Sequence, residues 1–338
     1  MRRRDAIGLL LNAVGFSDAV RVLFPGGRLR ILAYHRVLDV PAAGEFPFDL
    51  ELVSASTSAF RQQMAHLRAH WHPISLSAAL DCIDAGRALP RRAVVVTFDD
   101  GFSDNYTNAY PILQEFAIPA CIFVSTGFID TQQTFWFDRL TQAILTTRKR
   151  SMNVPWQSGL TIPVGDQARR ALLAGILRRL KTMENTQRLT LLRSADEQLE
   201  CPPAEQPHEL SAPLTWAQIT EMASHGIEFG SHTVTHPILT MLDLKDVEAE
   251  LTESRARLES QLGRSIDLLA YPVGGRHAFN AAIIAIAQRA GYRAACSYVS
   301  GANSLRALQR YALRRIPVER YVSFGQFRSG LALPGLFA

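Results

Sequence analysis

One stretch limits the possible folds of this chain more than any other. Ala93–Phe98 reads AVVVTF, an apolar strand with three β-branched residues in succession, and it runs directly into Asp99-Asp100-Gly101. Two adjacent acids at the end of a buried strand are costly unless a partner or a metal compensates them. The chain therefore needs an architecture that brings strand ends together at a polar site. The rest of the sequence supplies one. Strands are expected at 30–37, Ala120–Val124, 227–230, 266–271, 292–298 and 313–319. Between them lie helical patterns: the spacing of Phe60, Met64 and Leu67, a segment 215–225 with Thr215 as N-cap and Gln218 closing a capping box, a charged helix 243–262 stopped by Gly263, and 279–290 ended by Gly291. Strands alternating with helices imply a mainly parallel α/β sheet. About seven of them point to barrel-like closure, with the chemistry at the carboxyl ends of the strands.

Residues 131–212 interrupt this rhythm. Within them 166–200 is helical in pattern and rich in Arg, Leu and Gln, and Pro155, Pro163, Pro202, Pro203 and Pro207 bracket it. An insertion beside the barrel is expected, serving either as a peripheral helical support or as a lid over the substrate. With 47% apolar and 20% charged residues in 338, a folded core is expected, and no fixed-period repeat is present.

The net charge of +5 is concentrated at one end. Residues 1–30 hold six Arg (2, 3, 4, 21, 28 and 30) against Asp5 and Asp18, six minus two giving +4. With apolar positions 7, 10, 11 and 14 on one helical face, residues 1–29 read as an amphipathic segment suited to an anionic membrane surface, in preference to a secretion signal. No basic stripe interleaved with aromatics follows, so a nucleic-acid partner is not expected. The cysteines, Cys82, Cys121, Cys201 and Cys296, form no CxxC pair and no disulfide framework. A cytoplasmic location, or a peripheral one on the inner membrane, is expected over secretion.

Three motifs carry the chemistry. The first is Thr97-Phe98-Asp99-Asp100-Gly101. The second, Ser231-His232-Thr233-Val234-Thr235-His236, follows a short strand and places two imidazoles four residues apart, where a helix or a tight turn would aim both at one cation. The third, Tyr271-Pro272-Val273-Gly274-Gly275, is a glycine turn after a strand, where backbone can approach a ligand closely. Alone, each is weak: a strand-end Asp-Asp is often an ordinary turn or helix cap, and chance His pairs are common. Together they end three strands of one alternating chain.

In this order the motifs resemble those of the NodB-like polysaccharide deacetylases, carbohydrate esterase family four, over about residues 30–330. The resemblance implies a distorted (β/α)7 barrel. It implies Asp99 as catalytic base, Asp100, His232 and His236 as ligands of a divalent metal, and the backbone N–H of Val273 as oxyanion donor within the Tyr271-Pro272-Val273-Gly274 turn. The implied reaction removes N-acetyl groups from an N-acetylated polysaccharide or a lipid-linked sugar. Two imidazoles and one carboxylate leave coordination positions open for water and substrate, as a catalytic site requires. They suit Zn2+ first, and Co2+ or Ni2+ as well.

Departures from the family pattern matter. Where an Arg that orients the base often stands, this chain has Ala270, and Arg36, Arg276 and Arg315 are the alternatives. The late Trp motif is absent from 292–300, and 313–318 lacks the family's C-terminal His. Instead, Ala33-Tyr34-His35-Arg36-Val37 resembles the N-terminal motif of a permuted subgroup that includes poly-N-acetylglucosamine deacetylases. That places His35 as general acid. Two other readings stay open: a metal amidase or imidase of the same fold acting on a small non-sugar amide, which substrate profiling would separate, and a non-catalytic glycan-binding relative, for which the Asp99–Asp100 pair would be superfluous.

Overall fold

The computed structural model describes residues 27–40, 43–131, 133–201 and 208–334. The amphipathic segment expected at the N-terminus lies almost wholly outside them, as do Pro202, Pro203 and Pro207.

Seven strands form a ring: β1 (Arg28–Tyr34), β2 (Ala93–Phe98), β3 (Ala120–Val124), β4 (Glu228–Ser231), β5 (Leu268–Ala270), β6 (Ala294–Ser300) and β7 (Leu313–Pro317). Each pairs in parallel with the next, and β7 returns to β1, so order in space is order in the chain. This is the closure that the alternation pointed to and the (β/α)7 barrel that the resemblance implied. Its closure is uneven. β4 and β5 share one register pair, Ser231 with Leu269, and the β6–β7 ladder slips between Cys296 and Ser300. No helix among the described residues is long and apolar enough to cross a membrane.

Strand alternation sorts the core into two layers. Leu29, Ile31, Val95, Cys121, Phe123, Leu268, Cys296 and Leu313 form one cluster inside the ring. Leu32, Val94, Val96, Phe98, Ile122 and Val124 pack outward against Phe60, Met64 and Leu67 of helix α1 (Thr57–His70). Helix α2 (Leu76–Asp84) adds Leu76, Ala79 and Leu80 to the inner cluster. The carboxylate of Glu228, the first residue of β4, accepts the Leu76 N–H at 2.9 Å, which seats α2 at the amino-terminal end of the barrel. The opposite end is left for chemistry.

The first strand is shorter than its apolar run. It stops at Tyr34; His35 donates its N–H to Ser54 Oγ at 2.9 Å, and Arg36–Val37 pairs with Val53–Ala55 outside the ring. Peeling away there leaves His35 at the barrel mouth.

After β3 and helix α3 (Tyr110–Glu115), which precedes it, comes the insertion. It holds α4 (Trp136–Thr146), an antiparallel hairpin of Ser151–Val154 with Gln157–Thr161, α5 (Asp166–Leu180) and α6 (Asn185–Leu199). The two last helices fill the expected 166–200, whereas α4, with Trp136, Phe137, Leu140, Ala143 and Ile144 on one helical face, and the hairpin lie outside that expectation. Leu140, Ile144, Leu173, Ile176, Leu177, Leu191 and Leu192 form their core, continuous with Phe102 and Ile238 from barrel loops. Arg139 pairs with Asp196 across α4 and α6, and Arg170 donates to the carbonyls of Phe46 and Phe48, tying α5 to the 43–52 loop. The remaining helices are α7 (Trp216–Ser224), α8 (Leu244–Leu262), α9 (Ala281–Arg289) and α10 (Phe324–Ala332). The capping box at α7 is formed by Thr215 and Gln218, and Gly263 ends α8 at φ +63°.

Candidate active site

The end of β2 turns sharply. Asp100 and Gly101 stand at φ +74° and +86°, and a Cβ on Gly101 would lie 2.8 Å from Val124 Cγ1. Only glycine satisfies both conditions there. The turn presents the two acids in different directions. Asp99, 2% exposed, meets a fork of two hydrogen bonds from Arg315: Nη1 to Oδ1 at 2.7 Å and Nη2 to Oδ2 at 2.6 Å. The guanidinium is itself fully buried, and its Nε donates to the Ser297 carbonyl at 2.8 Å. Burial pushes the Asp99 carboxyl up, but Arg315 outweighs it, and the net pKa lies below the ordinary carboxylate value. A carboxylate has about four lone-pair directions, so two remain free to take a proton.

Of the three arginines that the sequence offered, the geometry brings Arg315 to Asp99. Arg36 does not reach it. Its Nε donates to Asp104 at 2.8 Å and its Nη2 to the Leu210 carbonyl, because the chain has left the barrel after His35. Arg276 is solvent-exposed and lines a separate cavity with Phe279, Asn303 and Arg314, because the glycine turn carries it past the cleft.

Asp100, His232 and His236 gather on the other side. Their ligand atoms lie within 4.8 Å of one another, and all three residues are buried. The His motif is a tight turn, not a helix, with Thr233 at φ +72° and His236 at +55°. His232 Nδ1–H donates to the Ala270 carbonyl at 2.7 Å, which leaves a lone pair on Nε2, 3.5 Å from Asp100 Oδ1. His236 Nε2 is 3.2 Å from the same oxygen. Asp100 Oδ2 is buried without a partner among the described residues. Lone pairs this close repel unless a proton or a metal cation lies between them, and a His that spends its other nitrogen on a backbone carbonyl is oriented as metal ligands are. The donor set fits a divalent cation.

A cleft of about 210 Å³ joins these groups to His35, Val273 and Tyr298. His35 is half-buried, its ring 5.3 Å from that of Tyr298. Burial lowers its pKa below the ordinary value, against the opposing pull of Asp100 and Asp99. In the glycine turn Gly274 donates its N–H to Pro272 at 2.6 Å, and Val273, at φ +63°, makes no hydrogen bond with its own N–H. Tyr271 points away from the cleft, its hydroxyl donating to the Tyr311 carbonyl at 3.0 Å.

The cleft also has walls that the motifs did not announce. Trp136 and Phe137 of α4 and Leu177 and Lys181 at the end of α5 line it, with Asp49 and Glu51 from the 43–52 loop and Glu319 beyond β7. The insertion is therefore a wall of the site. The aromatic run Phe135-Trp136-Phe137 inside an otherwise polar segment was the available signal for α4; nothing marked Tyr298 or Lys181.

A closed parallel barrel that collects a paired carboxylate, a His–His–Asp cluster and a half-buried histidine at its strand ends is the architecture of a hydrolytic enzyme. A family model described as polysaccharide deacetylase matches residues 86–295, more than half of the chain, and the chain belongs to that family. The match contains Asp99, Asp100, His232 and His236 but neither His35 nor Arg315. Among curated relatives, the poly-beta-1,6-N-acetyl-D-glucosamine N-deacetylase of Escherichia coli (strain K12) is 38% identical over 101 residues, 30% of this chain and 14% of that protein. The protein of the same name from Staphylococcus aureus (strain MSSA476) is 30% identical over 118 residues, 33% of this chain and 40% of that one. The chain thus spans less than half the length of these two relatives. Among solved structures, the Streptococcus pyogenes deacetylase PplD in complex with acetate superposes with TM-score 0.59 at 20% identity, covering 88% of this chain and 95% of that one. IcaB from Ammonifex degensii does so with TM-score 0.57 at 19% identity, covering 91% and 97%. At such identities what is shared is the fold.

Proposed function

We propose that the protein removes N-acetyl groups from an N-acetylated glycan in a metal-dependent hydrolysis. The observation that carries this is one cleft holding the Asp99–Arg315 fork on one side and the Asp100, His232, His236 cluster on the other. The names of the Escherichia coli and Staphylococcus aureus relatives make a β-1,6-linked N-acetylglucosamine polymer the first substrate to try.

Asp100, His232 and His236 would hold the cation, Zn2+ before Co2+ or Ni2+ on donor type. When bound, it supplies Lewis-acid polarisation of the acetyl carbonyl and acidifies water in the site. The chain's own groups perform the proton work. Asp99, kept ionised by Arg315, accepts a proton from the attacking water as the new C–O bond forms. The unspent Val273 N–H donates to the oxyanion that develops on the acetyl oxygen. The C–N bond then breaks toward nitrogen, and the amine leaves once His35, in its protonated form, gives it a proton. Acetate and free amine result, and the two residues exchange protons with solvent before the next turnover.

The test is acetate release from a panel of N-acetylated glycans and small N-acetyl amides, before and after exhaustive chelation. Release from the glycans that stops on chelation and returns with Zn2+ is expected. Undiminished release after chelation would reject metal dependence, and release from the small amides alone would reject the glycan.

A further inference from the structure

The two imidazoles of the metal cluster are held in different ways. His232 is anchored wholly by the barrel: its Nδ1–H donates to the Ala270 carbonyl, and its own carbonyl accepts from Ser125 Oγ at 2.9 Å. His236 has no such anchor on its ring. Its Nδ1 is buried and finds no partner among the described residues. The barrel pins the loop up to Thr235: Thr126 N–H donates to the Thr233 carbonyl at 3.0 Å, Gly127 N–H to the Val234 carbonyl at 2.8 Å, and the N–H groups of Val234 and Thr235 to Glu250. At His236 the backbone N–H donates to Thr233 Oγ1 at 3.1 Å, and the hold on its carbonyl and ring comes from the insertion. Trp136 Nε1–H donates to the His236 carbonyl at 3.3 Å, and the rings of Phe135 and Phe137 stand edge-on to the imidazole at 5.9 and 5.4 Å.

Behind this contact stands a second oddity. The Arg188 guanidinium lies over the Trp136 ring, 4.9 Å from its centroid, and the residue is only 2% exposed. Among the described residues no carboxylate pairs with it directly, although Glu184 and Glu250 stand near enough to favour its charge. Nη2 donates to Asn185 Oδ1 at 2.5 Å, while Nε and Nη1 find no acceptor among the described residues. A cation buried with so little compensation costs the fold, and a Leu or Met would fill the space more favourably.

We infer that Trp136 and Arg188 are positioning residues for His236, so that the insertion completes the metal site. The inference rests on reading Asp100, His232 and His236 as metal ligands. Arg188 draws on the π-face of the indole, fixes the plane of the ring and strengthens its N–H as a donor. That N–H holds the His236 carbonyl, and with it the left-handed backbone that aims Nε2 at Asp100.

The experiment measures Zn2+ affinity of the metal-stripped full chain by competition with a chromophoric chelator, and the melting temperature of the same metal-free protein. Trp136→Phe keeps an aromatic ring and removes the N–H. Arg188→Met keeps the volume and removes the charge, and Arg188→Lys restores the charge. Zn2+ binding is expected to weaken about tenfold or more in Trp136→Phe and Arg188→Met, the usual range for losing a group that orients a ligand, and to recover in Arg188→Lys. Metal-free Arg188→Met is expected to melt no lower than the parent, which a merely structural role for Arg188 would not give. Parental Zn2+ affinity in both Trp136→Phe and Arg188→Met, with His236→Ala strongly weakened, overturns the positioning inference and leaves the metal site standing. Parental affinity in His236→Ala as well removes the metal site and the inference with it.

Discussion

Asp99 in the barrel and Asp138 in the insertion are both acids shut away from solvent, and they are treated in opposite ways. Asp99 is met by a guanidinium that bonds both its oxygens and is itself tied to the backbone. Asp138, on α4, accepts one hydrogen bond from Ser211 Oγ at 2.6 Å, and its Oδ1 has no partner among the described residues. Burial pushes its carboxyl up to about 7, against the weaker pull of Arg36. Arg188 repeats the pattern with opposite sign. Asp99 is matched within hydrogen-bond distance, whereas Asp138 and Arg188 feel opposite charges only from farther off, Arg36 for the one and Glu184 and Glu250 for the other. Removing half of a matched pair leaves an uncompensated ion and is severe; removing an unmatched charge is mild or favourable.

The largest effect that would break this comparison lies in the Asp99–Arg315 pair. Asp99→Asn is expected to lower turnover by about 10²–10⁴-fold while Zn2+ binding persists. Arg315→Met is expected to cost about 3–5 kcal/mol of stability, read from denaturant midpoints, because it strands a buried carboxylate. The double variant should recover much of that stability and none of the activity. If the double variant is as unstable as Arg315→Met, the cost came from packing and the pairing argument fails.

Next comes His35, the barrel residue placed on a segment that has left the sheet. His35→Ala is expected to slow amide hydrolysis by about a hundredfold, at the low end for a lost acid, yet to leave an activated acetate ester much less affected, since its leaving group needs no proton. Equal losses on both substrates would place the acid elsewhere.

The smallest effect belongs to Asp138. Its folded pKa of about 7 lies above the unstrained value of 3.8, so protonation favours the fold. The stability it contributes is full below about pH 4 and is lost as pH rises through 7. Asp138→Asn cannot titrate and should gain on the parent progressively across that window. A stability difference that stays flat from pH 4 to 8 would show that Asp138 ionises freely in the fold and would close the gap between the two regions.

Much of the site could be read without coordinates, for physical reasons. AVVVTFDDG is a local statement: an apolar β-branched run demands burial, two acids demand compensation, and Gly101 permits a backbone that no other residue tolerates beside Val124. SHTVTH is local as well, because its two imidazoles sit on a single turn. Such features depend on neighbours in sequence, and through the family resemblance that they carry they imply one site for Asp99, Asp100, His232 and His236.

What no local pattern could decide was partnership across the barrel. Arg315 lies 216 residues from Asp99, and nothing in its strand distinguished it from Arg36 or Arg276. Ring closure through β7 and β1 brings its guanidinium to the acid, and the departure of the chain after Tyr34 takes Arg36 to Asp104 instead. The insertion is the stronger case. Its helical spacing foretold α5 and α6, but the burial of Arg188 over Trp136, and the indole N–H on His236, arise only when three helices and a barrel loop share one core. The residue types and strand ends were determined by sequence. Which charges meet which partners was decided by chain closure and packing, because Coulomb and hydrogen-bond terms depend on distance in space and not along the chain.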